Sequence, residues 1–326
     1  MINAALSISA LTSSTAFDLS KTYFLLSGIA GVNPKVATIV AVAFAKFAVQ
    51  IDLQLEFDGR EIPSTWSTGY VPMGAASHEY YPQTFYGSEV FELNDDLRQL
   101  AISFAKTTSL EDSAAAAQNR ALYSHSPANI YHAATLGPSI VEGDVTACNM
   151  FFHGNLLCEG FEKVVKLYTS GKAEYYMTAQ EDTAIMAALL RAALQKQVDF
   201  SRVILMRAGS NFDRSHSSSE PPSIPFVKDH GGFALACRYL YLSGVKVVQG
   251  ILEGWLTKFE SGVEAKNYIG DVFGSLGGVV DFEPEENIPY VYWQQYLEDF
   301  CHGANCKSAD NCDLVELSDY KERRDL

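Results

Sequence analysis

Two short apolar segments of this chain are each followed by small and polar residues, a combination that can bring backbone amides close to a ligand. The run Tyr23 to Ser27 (YFLLS) leads into Gly28–Gly31 (GIAG), and Val203 to Arg207 (VILMR) leads into Ala208–Asn211 (AGSN). Each pattern predicts a buried strand that ends in a glycine-rich turn. Small residues let backbone N–H groups approach an anion closely. The alternative is a turn whose small residues serve packing alone.

Acidic side chains precede the clearest predicted helix. Thr183 to Lys196 (TAIMAALLRAALQK) is rich in alanine and leucine and holds its charges to one side, which predicts an amphipathic helix. Gln180, Glu181 and Asp182 come directly before it. Carboxylates at a helix N-terminus complement the positive end of the helix dipole. This structural use of Glu181 is the alternative to any chemical role.

The elements that must position these residues are buried strands separated by long amphipathic stretches. Their order predicts an α/β fold with a mixed, largely parallel central sheet flanked by helices. Val36 to Val49 is apolar and predicts a buried helix, whereas Asp52 to Tyr86 predicts strands and long loops. The first 16 residues, MINAALSISALTSSTA, imitate a signal peptide but lack a positive n-region, and they predict a packed helix.

The chain divides into one main domain, residues 1–283, and an acidic, cysteine-containing C-terminal extension, residues 284–326. Residues 214–225 (RSHSSSEPPSIP) predict a surface loop. The extension contains three cysteines, Cys301, Cys306 and Cys312. Their spacing lacks the paired C-x2-C units of structural zinc sites, and a disulfide or free thiols are the alternatives. No metal site is predicted.

The composition excludes several classes of protein. Of the 326 residues 48% are hydrophobic, which is enough for a large core and argues against intrinsic disorder. With a formal net charge of -15, the chain lacks the excess of positive charge by which proteins bind nucleic acid without sequence preference. A membrane-spanning helix needs about 20 consecutive apolar residues. The most apolar candidate, Val36 to Val49, is too short and contains Lys46.

Four contiguous blocks carry a resemblance to a known family. They are residues 27–31 (SGIAG), 149–153 (NMFFH), 177–182 (MTAQED) and 206–214 (MRAGSNFDR). In this order and at these separations they resemble the fungal and bacterial purine nucleoside permease family, over roughly residues 2 to 280. That family looks like a branch of the nucleoside phosphorylase and nucleosidase superfamily. The resemblance implies a mixed sheet surrounded by helices, with a purine nucleoside bound at strand ends.

The resemblance implies roles for two of these blocks in holding the sugar and the nucleophile. Ser27, Gly28 and Gly31 match the segment that touches phosphate or the attacking water. Glu181 matches the glutamate that accepts hydrogen bonds from the ribose hydroxyls, which suits a carboxylate because it takes two O–H donors. Gln180 and Met177 are implied to line the same sugar pocket.

The other two blocks are implied to hold the base. Phe151 matches the aromatic side chain that stacks on the purine ring, and the adjacent Phe152 is the alternative stacker. Asn211 matches the position that hydrogen-bonds the purine N7 and assists departure of the base. In the family pattern RTASDFDR that position is Asp, which can transfer a proton. The Asn amide can only donate a hydrogen bond, which places adenosine cleavage in particular doubt.

A second departure lies at the front of the chain. In the family, the residues that match Ile2 to Ala5 follow a loop of the type T-G-E-G-E. The first strands of the sheet come before that loop. The resemblance therefore implies that these first strands and the secretory signal are missing here, through an incomplete gene model or loss of part of the site. It also implies the secretory pathway or cell surface as location, although no signal peptide is visible in this chain.

The leading expectation is a purine-nucleoside-binding protein that cleaves the N-glycosidic bond by phosphorolysis or hydrolysis. It requires no metal or organic cofactor, allows phosphate as a co-substrate, and is compatible with a homo-oligomer. The alternative is a non-catalytic nucleoside receptor or component of nucleoside transport, as the family name suggests. Asn211 and the missing loop favour that alternative, whereas Glu181 and Phe151 suit both.

Overall fold

The computed structural model describes residues 1–217 and 230–282 of the chain. The predicted extension 284–326, with its three cysteines, lies outside the described residues. The same holds for most of the predicted loop 214–225, of which only Arg214 to Ser217 are described.

Six α-helices and eleven strands make up the described part of the chain. The helices are α1 Ile2–Thr12, α2 Asp95–Ala105, α3 Ala114–Ala121, α4 Asn155–Tyr168, α5 Asp182–Leu194 and α6 Phe233–Glu253. The strands are β1 Phe24–Val32, β2 Val42–Ala45, β3 Phe47–Gln50, β4 Gln54–Glu56, β5 Tyr70–Pro72, β6 Val90–Glu92, β7 Ile140–Glu142, β8 Asp144–Ala147, β9 Tyr175–Ala179, β10 Val203–Phe212 and β11 Gly270–Asp271.

Nine strands form one mixed sheet in the order β11-β6-β3-β8-β9-β1-β10-β2-β7. The pairs β3/β8, β8/β9, β1/β10 and β2/β7 are parallel, and the other four neighbouring pairs are antiparallel. The predicted mixed α/β sheet flanked by helices is therefore confirmed. Its antiparallel share, four of the eight neighbouring pairs, is larger than the sequence suggested.

Helices pack along the sheet at two places. α2 and α6 pack together and against β2 and β10, and α6 also contacts β1. α5 contacts β3 and β6 and carries α1 on its other side. The predicted N-terminal helix is confirmed as α1, although Thr12 is its one buried residue. The predicted segment of strands and long loops is also confirmed, because β4 and β5 pair there as a separate two-stranded sheet.

Three local predictions were wrong. Both glycine-containing segments continue the strands that precede them, since β1 runs on to Val32 and β10 to Phe212. The segment Val36 to Val49 forms β2 and most of β3 instead of a helix. All eight residues of these two strands are buried, and all but Gln50 are apolar. A strand buried on both faces shows no alternation and cannot be told from a buried helix by periodicity.

A buried carboxyl group lies at the end of β6. Glu92 has a fully buried side chain whose Oε1 accepts a hydrogen bond from Asn267 Nδ2 at 2.7 Å and lies 3.6 Å from Lys46 Nζ. Its Oε2 has no hydrogen-bond partner within residues 1–217 and 230–282. Burial, together with the neighbouring carboxyl of Asp281, raises the pKa of Glu92 from 4.5 to about 7, against the opposing effects of Asn267 and Lys46.

Glu92 makes the stability of the fold depend on pH. The native carboxyl keeps its proton up to its pKa of about 7, whereas in the unfolded chain it ionises near 4.5. Its contribution to folding is therefore complete below about pH 4.5 and is lost as the pH rises to about 7. We expect Glu92→Gln, which cannot ionise, to gain about 3 kcal/mol of unfolding free energy relative to wild type over this range. Urea unfolding at a series of pH values measures this difference, and an offset that does not change with pH would contradict it.

Candidate functional site

A cavity of about 520 Å³ opens beside the central strands β1, β9 and β10. Its volume lies in the range of small-molecule sites, roughly 300–1,000 Å³. It gathers all but one of the site residues that the sequence predicted, from four segments that are distant along the chain. They are Ser27, Gly28, Gly31, Phe151, Phe152, Gln180, Glu181 and Asn211. The exception is Met177, which does not line the cavity.

The alternation of β9 explains why Met177 is the exception. Met177 is fully buried in the core, whereas its neighbour Thr178 is half-buried and lines the cavity. Successive side chains of a strand point to opposite faces. From the block MTAQED the sequence analysis predicted Met177, Gln180 and Glu181 as site residues but not Thr178, which lines the cavity. Period-two alternation within YYMTA was the signal that could have found it.

The cavity lies between β1 and β9, which have a single ladder pair, Val32 with Met177. Next to that pair, the backbone N–H of Gly31 donates to Thr178 Oγ1 at 2.8 Å. A Cβ atom on Gly31 would lie 2.9 Å from the same oxygen, so a side chain there would push the two strands apart. Glycine at this position therefore allows a side chain of β9 to bridge to the backbone of β1.

An irregularity in β10 forms another wall. Ala30 pairs with Gly209 and Gly31 pairs with Asn211, so Ser210 is an extra residue in the ladder. A bulge of this kind redirects side chains and is frequent beside active sites. Here it leaves both Ser210 and Asn211 facing the cavity. Ser210 Oγ lies 2.8 Å from Asn211 Oδ1, and Asn211 Nδ2 donates to the carbonyl oxygen of Phe212 at 3.0 Å.

A buried ion pair closes the bottom of the site. Arg207 Nε donates to Asp182 Oδ2 at 3.0 Å, and its Nη2 donates to Asp182 Oδ1. Nη1 donates to the carbonyl oxygen of Ile29 at 3.3 Å. Burial lowers the pKa of Arg207, but the attraction of Asp182 outweighs it and raises the pKa on balance, so the guanidinium stays charged. Arg207, at which the predicted strand VILMR ends, therefore serves as the partner of a buried carboxylate.

The guanidinium explains why position 28 is glycine. A Cβ atom on Gly28 would lie 2.2 Å from Arg207 Nη1. The space that a side chain would fill at this position is therefore taken by the cation of the neighbouring strand. The sequence predicted that small residues here let an anion approach the backbone. At Gly28 the guanidinium of Arg207 occupies that space.

Glu181 stands at the start of α5 but does not cap it, since its side chain accepts no hydrogen bond from the helix amides. Its side chain is 45% exposed, and its Oε2 lies 3.6 Å from Arg207 Nη2. Asp182, the next residue, is the acidic side chain within the first turn. The geometry thus separates two adjacent carboxylates: Asp182 neutralises the buried cation, and Glu181 reaches into the cavity. Gln180 Nε2 donates to the carbonyl oxygen of Asn149 at 3.3 Å.

The two adjacent aromatic residues differ in surroundings. Phe151 is 69% exposed at the cavity. Phe152 packs against Phe161, with ring centroids 4.9 Å apart, and against Tyr175. Phe151 is therefore the more exposed ring at the cavity, and Phe152 belongs largely to the core. His153, which follows them, does not line the cavity.

A second buried ion pair stands behind the cavity. Arg214 Nε donates to Asp213 Oδ1 at 2.8 Å, and Tyr175 donates its phenolic proton to Asp213 Oδ2 at 2.6 Å. Both oxygens of the Asp213 carboxylate are thus engaged. Of the two, Asp213 lines the cavity. In the described part of the chain, no group of three His, Cys, Asp or Glu side chains is arranged to hold a metal ion.

We expect Arg207→Met to destabilise the fold by about 3–5 kcal/mol, because removing one partner leaves the buried carboxylate of Asp182 uncompensated. Urea unfolding at neutral pH measures the loss. The control is Arg60→Met, which removes one side of the exposed Arg60–Asp58 pair and should leave the unfolding free energy within error. An Arg207→Met variant as stable as wild type would show that the pair does not hold the site together.

Comparison with known proteins identifies the family. The model of the purine nucleoside permease family matches residues 1–264. A purine nucleoside permease of Candida albicans is 38% identical over 290 residues, which cover 87% of this chain and 70% of that protein. A probable purine nucleoside permease of Schizosaccharomyces pombe is 35% identical over 261 residues, covering 78% of this chain and 73% of that protein.

Among solved structures, this chain is similar to the 5'-methylthioadenosine/S-adenosylhomocysteine nucleosidase of Neisseria meningitidis. The two are 14% identical, with 76% of each chain covered and a TM-score of 0.41. None of the helices within the described ranges is both long and apolar enough to cross a membrane. On the family match and on both yeast relatives, the chain belongs to the purine nucleoside permease family.

Proposed function

We propose that the cavity binds a purine nucleoside and that the protein cleaves its N-glycosidic bond. The observation that carries the proposal is the convergence of four distant segments, residues 27–31, 151–152, 180–181 and 210–211, on one cavity of about 520 Å³. Together they offer a carboxylate, an exposed aromatic ring and an amide, which match a sugar, a purine and its leaving nitrogen. The name of the family agrees with such a ligand.

Each moiety of the nucleoside has a partner in the cavity. Glu181 is partly exposed and carries two oxygens that can accept hydrogen bonds from the ribose hydroxyls. The exposed ring of Phe151 lines the cavity and can stack on the purine ring. Asn211 Nδ2 has a second N–H beyond the one that donates to Phe212, and this N–H can donate a hydrogen bond to the base. The proposal requires no metal or organic cofactor.

The charges of the cavity favour cleavage through a cationic sugar. The carboxylates of Glu181, Asp182 and Asp213 line it, together with the guanidinium of Arg207. When the bond to the base breaks first, positive charge develops on the ribose ring. Fixed negative groups close to that charge stabilise the transition state. The sugar therefore meets a wall of the opposite sign.

The alternative is a nucleoside receptor or transport component that binds without cleaving. One observation favours it: Asn211 is held by Ser210 and Phe212 and has no proton to transfer to the leaving base. The word permease in the family name points the same way. Both functions require the same binding residues, so binding alone does not separate them.

We expect Glu181→Ala to weaken inosine binding by at least tenfold, because the ribose hydroxyls lose their charged acceptor, and calorimetry measures the affinity. The matched control is Glu260→Ala, whose side chain is equally exposed at 45% but pairs with Lys21 away from the cavity. That control should bind as wild type does. Equal affinity of the two variants would show that Glu181 does not hold the sugar.

Catalysis is tested by incubating the protein with inosine or adenosine and measuring free purine base by chromatography. We expect wild type to release free base faster than the Glu181→Ala variant does. We also expect inosine to be a better substrate than adenosine, because Asn211 cannot protonate the base. Tight binding with no release of base from either nucleoside would contradict cleavage and support the receptor.

A further inference from the structure

The N–H donors of the cavity are mostly used within the protein. Three of the five N–H donors of Arg207 are used, two by Asp182 and one by the carbonyl oxygen of Ile29, and its Nη2 also faces Glu181 at 3.6 Å. The backbone N–H of Gly31 donates to Thr178. The side-chain amide of Gln180 donates to the carbonyl oxygen of Asn149. An inorganic phosphate bound here would have to take donors away from partners in the protein.

The charge of the lining also opposes an anion. Among the described residues three carboxylates reach the cavity, and Arg207 is the one cationic side chain among them. That cation is held by Asp182, with Glu181 at 3.6 Å. Phosphate-binding sites in proteins combine positive charge with several free N–H donors. The lining supplies neither in surplus.

Two neutral hydroxyl groups remain for a small polar molecule. Thr178 accepts from Gly31 but donates to no acceptor in the described part of the chain, and Ser27 makes no side-chain hydrogen bond there. Both line the cavity on the side of β1 and β9. A bound water requires two to four polar partners, and it can donate hydrogen bonds to carboxylate and hydroxyl oxygens without bringing the negative charge that phosphate carries. An acceptor-rich, anionic wall suits water.

We propose that water, and not inorganic phosphate, is the second substrate at this site, so that the protein is a nucleoside hydrolase; this rests on the proposed function. The carbon–nitrogen bond breaks first and its electron pair goes to the purine, which takes up a proton from solvent. The water oxygen then forms a bond to the cationic anomeric carbon. The water releases one proton to solvent, so the products are free ribose and free base.

The test uses wild-type protein dialysed free of phosphate, incubated with inosine either without phosphate or with millimolar phosphate. We expect equal amounts of hypoxanthine and free ribose, no ribose 1-phosphate, and a rate that changes by less than about twofold when phosphate is added. A nucleoside phosphorylase run in parallel verifies that ribose 1-phosphate is detected. Ribose 1-phosphate as product, or a rate that rises and saturates with phosphate, overturns the proposal.

The failure of the inference can be told from the failure of the proposed function. If inosine binds but base is released only with phosphate, nucleoside cleavage stands and the use of water is wrong. If inosine binds and no base is released under either condition, the use of water is also wrong and the binding function stands. If inosine does not bind in calorimetry, both proposals fail.

A variant tests the role of the ion pair directly. Asp182→Asn releases Arg207 from its carboxylate, so we expect phosphate to raise the melting temperature of this variant and to leave wild type unchanged. The matched control, Asp58→Asn, releases the exposed Arg60 in the same way and should respond to phosphate as wild type does. A wild-type protein that phosphate stabilises as strongly as Asp182→Asn contradicts the inference. If the variant does not fold, the product formed by wild type tests the proposal: free ribose supports the use of water, and ribose 1-phosphate overturns it.

Discussion

The ion pair between Arg207 and Asp182 is the constraint on which the site depends. A guanidinium buried in the sheet is tolerated only with a partner at hydrogen-bond distance, because an unpaired buried charge is costly. The pair fixes the start of α5 against β10, and it requires glycine at position 28, where a Cβ atom would meet the guanidinium. It also places Glu181, which precedes Asp182, at the cavity without making it the main counter-ion.

The site is built mainly on strands, and the sheet supplies its walls through two departures from regular pairing. β1 and β9 share one ladder pair and a side-chain bridge, so the space between them becomes the cavity. The extra residue Ser210 in β10 brings Ser210 and Asn211 to the same space. Groups carried by strands of a nine-stranded sheet are held more rigidly than groups on surface loops. Binding groups so placed require little reordering when a ligand arrives.

The electrostatic character of the site follows from how its charges are paired. Each buried arginine at or behind the cavity has its own carboxylate, Arg207 with Asp182 and Arg214 with Asp213. Glu181 is then the carboxylate that remains available to a ligand at the surface of the cavity. Such an arrangement attracts sugar hydroxyls and a developing positive charge, and it disfavours the binding of an anion such as phosphate. The net charge of -15 for the whole chain has the same sign.

The sequence by itself determined the family, the helix α5, the cores of the strands and most of the cavity residues, because contiguous blocks such as SGIAG and MTAQED carry them. It did not distinguish a glycine-rich turn from a glycine-containing strand, nor β2 and β3 from a helix, since strands buried on both faces lose the alternation that identifies them. Only the tertiary structure decided that four distant segments line one cavity, and that Arg207 fills the space above Gly28. These outcomes depend on strand register and on contacts between residues as far apart as 28 and 207, which no local pattern encodes.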